Sequence, residues 1–203
     1  CRKYDILYIS DEVVTAFGRL GHWFASKDVF GIEPDMITCA KGLTSGYVPL
    51  GACIISDRIM QEMQDAEGDE VFYNGYTYSG HPVGAAAALA ALSEINRLRV
   101  WENAAARGDE LFAGLKKLAE KHNIIGDVRG GEGLMCALEL VSDRATKAPI
   151  AKHIPLQIQK AAYEDGVMIR VSGNNIIMSP PLVITSDEVS KILSALDTGL
   201  SSV

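Results

Sequence analysis

Two apolar runs, each closed by one charged residue, constrain this chain more than any other feature. The first is Tyr4-Asp5-Ile6-Leu7-Tyr8-Ile9-Ser10, closed by Asp11. The second is Asp35-Met36-Ile37-Thr38-Cys39-Ala40, closed by Lys41. Runs of this length and composition read as strands buried on both faces, although periodicity by itself does not separate them from buried helix. In open α/β sheets ligands bind outside the carboxyl ends of the strands. Asp11 and Lys41 are both expected there, a carboxylate and an amine meeting in one crevice. Singly, an Asp after a strand is commonly a turn former or cap, and a Lys is commonly solvated. Their surroundings argue for more. Lys41 lies between Ala40 and Gly42, in a loop that also holds Gly46 and Gly51, where backbone can approach a ligand closely. If the first strand runs on by two residues, alternation places Val13 on the same side as Asp11. An acid beside an apolar side chain suits a flat heteroaromatic ring, the acid meeting a ring nitrogen and the Val covering the ring face.

The rest of the chain reads as α/β followed by a smaller α+β part. Residues 51–56 form a strand, antiparallel to 35–40 because the loop between them is too short for a helical crossover. A short helix covers 58–65. The stretch 73–82 leads into a helix with Pro82 in its first turn and Ser79 or Gly80 as cap, an arrangement whose free N–H groups favour an anion. Residues 17–31 hold Phe17, Trp23, Phe24 and Phe30, a packed loop or a pocket wall. Residues 101–122 form one amphipathic helix with Leu111, Leu115 and Leu118 on its apolar face. Strands at 124–128 and 134–140 flank a glycine-rich turn. Its Gly131-x-Gly133 lacks the third glycine and the following helix of a dinucleotide loop. A helix at 152–165 precedes a strand pair, 167–171 and 175–179. Thr185-Ser186-Asp187-Glu188 is a capping box for the last helix.

Composition excludes some functions. The net charge of −7 over 203 residues, with no basic stripe, argues against nucleic acid as the partner. No apolar run reaches the roughly eighteen residues of a membrane span, and residues 1–5 lack a signal-peptide core. Cys1, Cys39, Cys53 and Cys136 are widely spaced, three of them in apolar runs. Buried free thiols in a reducing compartment, the cytoplasm, are expected rather than disulfides or a metal site.

Asp11-Glu12-Val13, Phe17-Gly18-Arg19, Gly21, Pro34-Asp35, Ala40-Lys41-Gly42, Ser45-Gly46-Tyr47 and Pro49-Leu50-Gly51-Ala52 resemble, in order and spacing, the class III aminotransferases. These are pyridoxal-phosphate enzymes of fold type I. The Ser45-Gly46-Tyr47-Val48-Pro49-Leu50-Gly51 form resembles the branch acting on ω-amino acids and amines with pyruvate. The match covers essentially the whole chain but only the C-terminal part of the family's sequence, so a fragment of a longer protein is expected. The resemblance implies that residues 1–99 are the C-terminal part of the cofactor-binding large domain, with its mixed sheet, and that 100–203 are a small α+β domain. It makes Lys41 the Schiff-base lysine and proton carrier, Asp11 the partner of the pyridine nitrogen, and Val13 the residue packed on the ring. Thr77, next to Tyr76 in the 73–82 motif, would hold the cofactor phosphate of a neighbouring subunit, giving a homodimer with shared active sites. Arg170 interrupts an apolar strand, where an unpaired charge is costly. A solvated edge position explains it equally well, but in similar enzymes an Arg here forks onto a substrate carboxylate. The alternatives are another class III reaction (aminomutase, racemase, decarboxylase) or a non-catalytic interaction domain.

Overall fold

Three short strands carry Asp11 and the approach to Lys41. They are β1 (Ile9–Asp11), β2 (Met36–Cys39) and β3 (Ala52–Ile55), side by side in that order. The computed structural model describes residues 1–68 and 72–203. By its contacts the chain divides into two units, Cys1–Gly18 with His22–Arg99, and Arg19–Gly21 with Val100–Val203.

In the first unit β1 and β2 are parallel, with Ile9 opposite Met36, Ser10 opposite Ile37 and Asp11 opposite Thr38. β3 runs antiparallel to β2, as the short loop requires, with Cys39 opposite Ala52. The first apolar run is only partly strand. Residues Arg2–Tyr4 form a 3-10 turn that ends at Asp5 with φ +53°. Ile6, Leu7 and Ile9 stay exposed. The expected burial of residues 4–8 therefore does not occur. An apolar run signals a buried strand only where layers cover both of its faces, and no such cover lies over these side chains among the described residues. The run is instead tied at Tyr8, whose N–H donates to Asp35 Oδ2 at 2.8 Å and whose carbonyl accepts from the N–H groups of Asp35 and Met36.

Helices α1 (Ala25–Asp28), α2 (Asp57–Asp65) and α3 (Pro82–Leu98) complete this unit. α3 has Pro82 at its first turn, but its cap is His81, whose Nδ1 accepts from the Val83 N–H at 3.2 Å. The expected caps Ser79 and Gly80 lie too early. Ser79 Oγ accepts from the Tyr76 N–H at 2.9 Å instead, closing the turn before the helix. Of the four cysteines, all free, Cys39 and Cys136 are buried, whereas Cys1 and Cys53 are exposed. Cys53 is the exception to expectation, because β3 is an edge strand whose residues face outward.

The second unit holds the larger core. α4 (Val100–Lys121) buries Leu111, Leu115 and Leu118, the residues spaced for one helical face. It packs on the antiparallel strands β4 (Ile125–Arg129) and β5 (Cys136–Asp143). Alternate residues of β5, Cys136, Leu138 and Leu140, enter the core. The short β6 (Ala148–Pro149) pairs with β5, and α5 (His153–Glu164) follows. β7 (Arg170–Ser172) and β8 (Asn175–Met178) complete the sheet order β4-β5-β8-β7. β7 starts later than expected, at Arg170. α6 (Ser186–Ser201) opens with the capping box, Thr185 Oγ1 accepting from the Glu188 N–H and Glu188 accepting from the Thr185 N–H at 2.8 Å.

The β4–β5 turn explains its glycines by packing. A side chain at Gly108 of α4 would collide with the backbone of Gly133, and one at Gly133 (φ +54°) would collide with Arg19 and Leu20. Arg19 is locked there: its guanidinium donates to the carbonyls of Leu134 (3.0 Å) and Pro180 (2.6 Å), and burial lowers its pKa. α4 and α6 are joined where Lys121 Nζ donates to Asp197 at 2.6 Å, with His122 Nε2 also 2.6 Å from that carboxylate. No helix among the described residues is long and apolar enough to cross a membrane.

Candidate active site

Asp11 is the last residue of β1, and Lys41 lies two residues past the end of β2. Because these strands are parallel neighbours, both residues sit at the same, carboxyl-terminal edge of the sheet. Adjacent strands lie about 4.8 Å apart, so acid and amine are brought to neighbouring positions along that edge.

Asp11 does not float there. Its Oδ1 accepts from the Val13 N–H at 3.0 Å and from Thr38 Oγ1 at 3.4 Å. The first bond is an Asx-turn, which reverses the chain immediately after the strand. β1 therefore stops at Asp11, and the premise that placed Val13 by strand alternation fails. Val13 comes next to Asp11 through the turn. Both bonds use Oδ1, so the carboxylate is oriented while Oδ2 stands outside them.

Lys41 opens a 3-10 turn, Lys41–Thr44, and is exposed. Its φ of +36° lies in the left-handed region, unusual for a side chain of this size. Non-glycine residues persist in such conformations where their surroundings dictate them, and they cluster at functional sites. The turn is closed by Leu43 N–H to the Ala40 carbonyl (2.8 Å) and Ser45 N–H to the Gly42 carbonyl (3.2 Å). Thr44, buried, donates from Oγ1 to the Val48 carbonyl at 2.6 Å. α3 packs against this turn.

The residue beneath the turn is Phe17. It is buried, has φ +61°, and meets Phe24 edge to face at 5.5 Å between ring centres. A Cβ on Gly42 would stand only 2.9 Å from Phe17 Cβ. The glycine after the lysine is thus required by the closeness of Phe17. Of the two readings of the aromatic stretch, packing holds for Phe17.

Sequence reasoning assigned no role to Glu12, which is 1% exposed. Its carboxylate accepts from the N–H groups of Ala25 (2.7 Å) and Ser26 (2.8 Å), from Ser26 Oγ, and from Thr15 Oγ1 at 3.4 Å. Burial pushes the thiol of nearby Cys39 up, and the Glu12 charge adds to that shift. The signal was available. The alternation used to align Val13 with Asp11 puts the intervening Glu12 on the opposite, inner side, where a carboxylate survives only if fully hydrogen-bonded.

Tyr76 and Thr77 lie in an exposed loop held by its own bonds, Tyr76 N–H to Ser79 Oγ and Ser79 N–H to the Tyr76 carbonyl, each 2.9 Å. Arg170 belongs to the second unit. It opens β7 opposite Ile177, exposed, beside a groove of about 450 Å³ lined also by Gln159, Ile169, Met178 and Pro180.

A family profile described as aminotransferase class-III matches residues 1–200. The chain is similar to the taurine–pyruvate aminotransferase of Bilophila wadsworthia, at 39% identity over 212 residues, covering all of this chain and 46% of that protein. It is similar to the putrescine–pyruvate aminotransferase of Pseudomonas aeruginosa, at 38% identity over 194 residues, covering 95% of this chain and 41% of that protein. An amine transaminase from an uncultivated Pseudomonas species, solved with pyridoxal phosphate bound, superposes with a TM-score of 0.95 at 42% identity, covering all of this chain and 46% of its own. The chain spans about half the length of the curated relatives it matches.

Proposed function

The chain belongs to the class-III aminotransferases, and on that footing we propose that the protein it forms moves an amino group from an ω-amino acid or amine to a keto acid such as pyruvate, using pyridoxal phosphate. The observation that carries this reading is the pairing at the sheet edge. Asp11 and Lys41 stand at the ends of neighbouring parallel strands, and the lysine has a left-handed backbone conformation uncommon for its size.

The residues at this edge fit the cofactor. An oriented carboxylate with Oδ2 outside its two bonds suits a protonated ring nitrogen, and an exposed amine on the adjoining strand end suits an aldehyde. Pyridoxal phosphate, when bound, supplies that aldehyde and a ring that takes up the electron pair released at the substrate carbon. Asp11 keeps the ring nitrogen protonated. Lys41 Nζ would hold the cofactor's aldehyde carbon and, once free, would serve as the acid and base that moves a proton at the substrate carbon. Val13 covers the ring.

Three further assignments go with this reading. Tyr76 and Thr77 serve a neighbouring subunit's cofactor, Thr77 at the phosphate, in a homodimer. The support is the exposed aromatic loop, with Tyr73, Tyr76 and Tyr78 all largely outside the chain's own packing. Arg170, the one charged residue among the described residues lining a mostly apolar groove, holds a substrate carboxylate. Residues 1–99 serve as part of the cofactor-binding domain and 100–203 as the small domain. Four free thiols support a reducing compartment, the cytoplasm.

The test is to add pyridoxal phosphate to the intact protein, reduce with borohydride, digest, and locate the pyridoxyl group by mass. Label concentrated on Lys41 and lost in Lys41→Ala, together with amine-dependent conversion of pyruvate to alanine, is the expected result. Label spread evenly over surface lysines would sink the proposal.

A further inference from the structure

We propose that Glu12 is a positioning residue for Lys41, acting through Phe17 and Gly42. The inference rests on the role proposed for Lys41 and deepens it. Glu12 stands between Asp11 and Val13 in the chain, but its carboxylate is bonded to Thr15, Ala25 and Ser26 rather than to Lys41 or Asp11. It is the most buried carboxylate among the described residues of the first unit, and its bonds form one end of a short mechanical path.

That path can be followed residue by residue. Glu12 takes the first two N–H groups of α1, Ala25 and Ser26, together with the Ser26 hydroxyl, and so pins the far end of the loop that leaves β1. Its own N–H donates to the Thr38 carbonyl at 2.8 Å, so the same residue is also laced to β2. The pinned end continues into Phe24 and Trp23. Phe24 meets the Phe17 ring, and the Trp23 carbonyl accepts from the Phe17 N–H at 2.7 Å. Phe17 presses on Gly42, and Gly42 directly follows Lys41. The links are hydrogen bonds, chain neighbours, one edge-to-face ring contact and, at Gly42, a contact too tight for one extra carbon.

The chemistry of the link requires a carboxylate. Its two oxygens face backbone N–H and hydroxyl groups, and two of these, the N–H groups of Ala25 and Ser26, one on each oxygen, are donors that cannot turn away. A glutamine of the same shape offers one oxygen and an NH₂ group, which would point a donor at a donor. Alanine leaves the N–H groups of Ala25 and Ser26 without an acceptor in the interior. In either case the loop end loosens, Phe17 loses its fixed depth, and the left-handed Lys41 turn loses the floor that holds it.

The experiment compares Glu12→Gln and Glu12→Ala with the parent in the intact protein, using two readouts. The first is amide hydrogen exchange, which needs no cofactor. The Leu43 and Ser45 N–H groups close the Lys41 turn and report on it directly. Their exchange should accelerate about tenfold in Glu12→Gln and further in Glu12→Ala, while core amides of α4 keep the parent's rates. The second readout is the rate of borohydride-fixed pyridoxyl label on Lys41, which should fall in the same order. A merely structural role would accelerate exchange at Ala25 and Ser26, or everywhere at once. If Leu43, Ser45 and the label on Lys41 follow the parent while Ala25 and Ser26 open, the proposal is overturned. If Glu12→Ala fails to fold, Ser26→Ala removes a single donor and should shift Leu43 and Ser45 in the same direction by less. If the turn amides respond as expected but the parent takes up no preferential label at Lys41, the positioning stands and the cofactor role of Lys41 falls.

Discussion

Replacing Gly42 with Ala should disable the Lys41 turn by a contact that can be stated in ångströms. The added Cβ would lie 2.9 Å from Phe17 Cβ, 3.2 Å from Cδ2 and 3.4 Å from Cγ. Carbon atoms in contact prefer about 3.5–4.0 Å, so something must move by about 0.6–1 Å. Phe17 has little room to yield, being buried and set against Phe24. Gly42 is not in the left-handed region, so alanine meets no backbone penalty there and the effect is steric. Overpacking of this kind costs about 1–3 kcal/mol of stability. On the role proposed for Lys41 the functional cost should be larger in proportion, because a misplacement of about 1 Å at a reacting group can cost 10²-fold in rate. The assay is the rate of pyridoxyl labelling at Lys41 and of pyruvate-dependent turnover, beside a urea melt. The geometry also dictates the rescue. Phe17→Ala keeps the offending Cβ, whereas Phe17→Gly removes it and suits φ +61°. Both lose the ring, so the effect of Gly42→Ala in each background isolates the Cβ contact. Gly42→Ala should remain harmful beside Phe17→Ala and become nearly silent beside Phe17→Gly. Equal behaviour in the two backgrounds, or parental labelling in Gly42→Ala alone, would refute the reasoning.

Two further outcomes follow from the second unit. Gly108→Ala should destabilise the protein by about 1–3 kcal/mol in a urea melt, although in an exposed helix the same change gains about 1 kcal/mol, because the new Cβ meets the Gly133 backbone. A stabilised Gly108→Ala would show that the β4–β5 turn yields easily. Asp197→Asn should flatten the acid limb of the stability curve. The hydrogen bond from Lys121, then that from His122, holds the Asp197 carboxyl below its ordinary value of about 3.8. A depressed carboxylate adds stability that is complete above the unfolded value and lost as pH falls through the folded one. The parent's melting temperature should therefore drop more steeply than the variant's below about pH 4, and parallel curves would count against the argument.

Much of the site was legible because its logic is that of sheet ends. A charged residue closing an apolar run is visible in one dimension, and parallel pairing brings two such residues to one edge. The α4 face and the Thr185–Glu188 cap were legible for the same reason, each set by spacing within one element. What escaped depends on contacts between segments. Residues 4–8 look like strand but are not covered. Val13 is placed by an Asx-turn that Asp11 makes with its own backbone, a local bond that cut the strand short. His81 displaced Ser79 as cap because Ser79 was engaged by Tyr76. Glu12 stood inside the quoted motif and alternation from Asp11 turned it inward, but the N–H groups that satisfy it, on Ala25 and Ser26 some fourteen residues on, fold back onto it from another segment.

The left-handed lysine has a consequence for anyone who breeds variants of this scaffold. At φ +36° a glycine would be at ease where Lys41 is not, and relieving such a conformation is worth about 1 kcal/mol or more. A library screened for heat resistance alone would therefore enrich replacements at position 41 and count them as improvements. Selection on yield or melting temperature runs against retention of the amine, so every round needs a readout that only a chain with the lysine in place can pass.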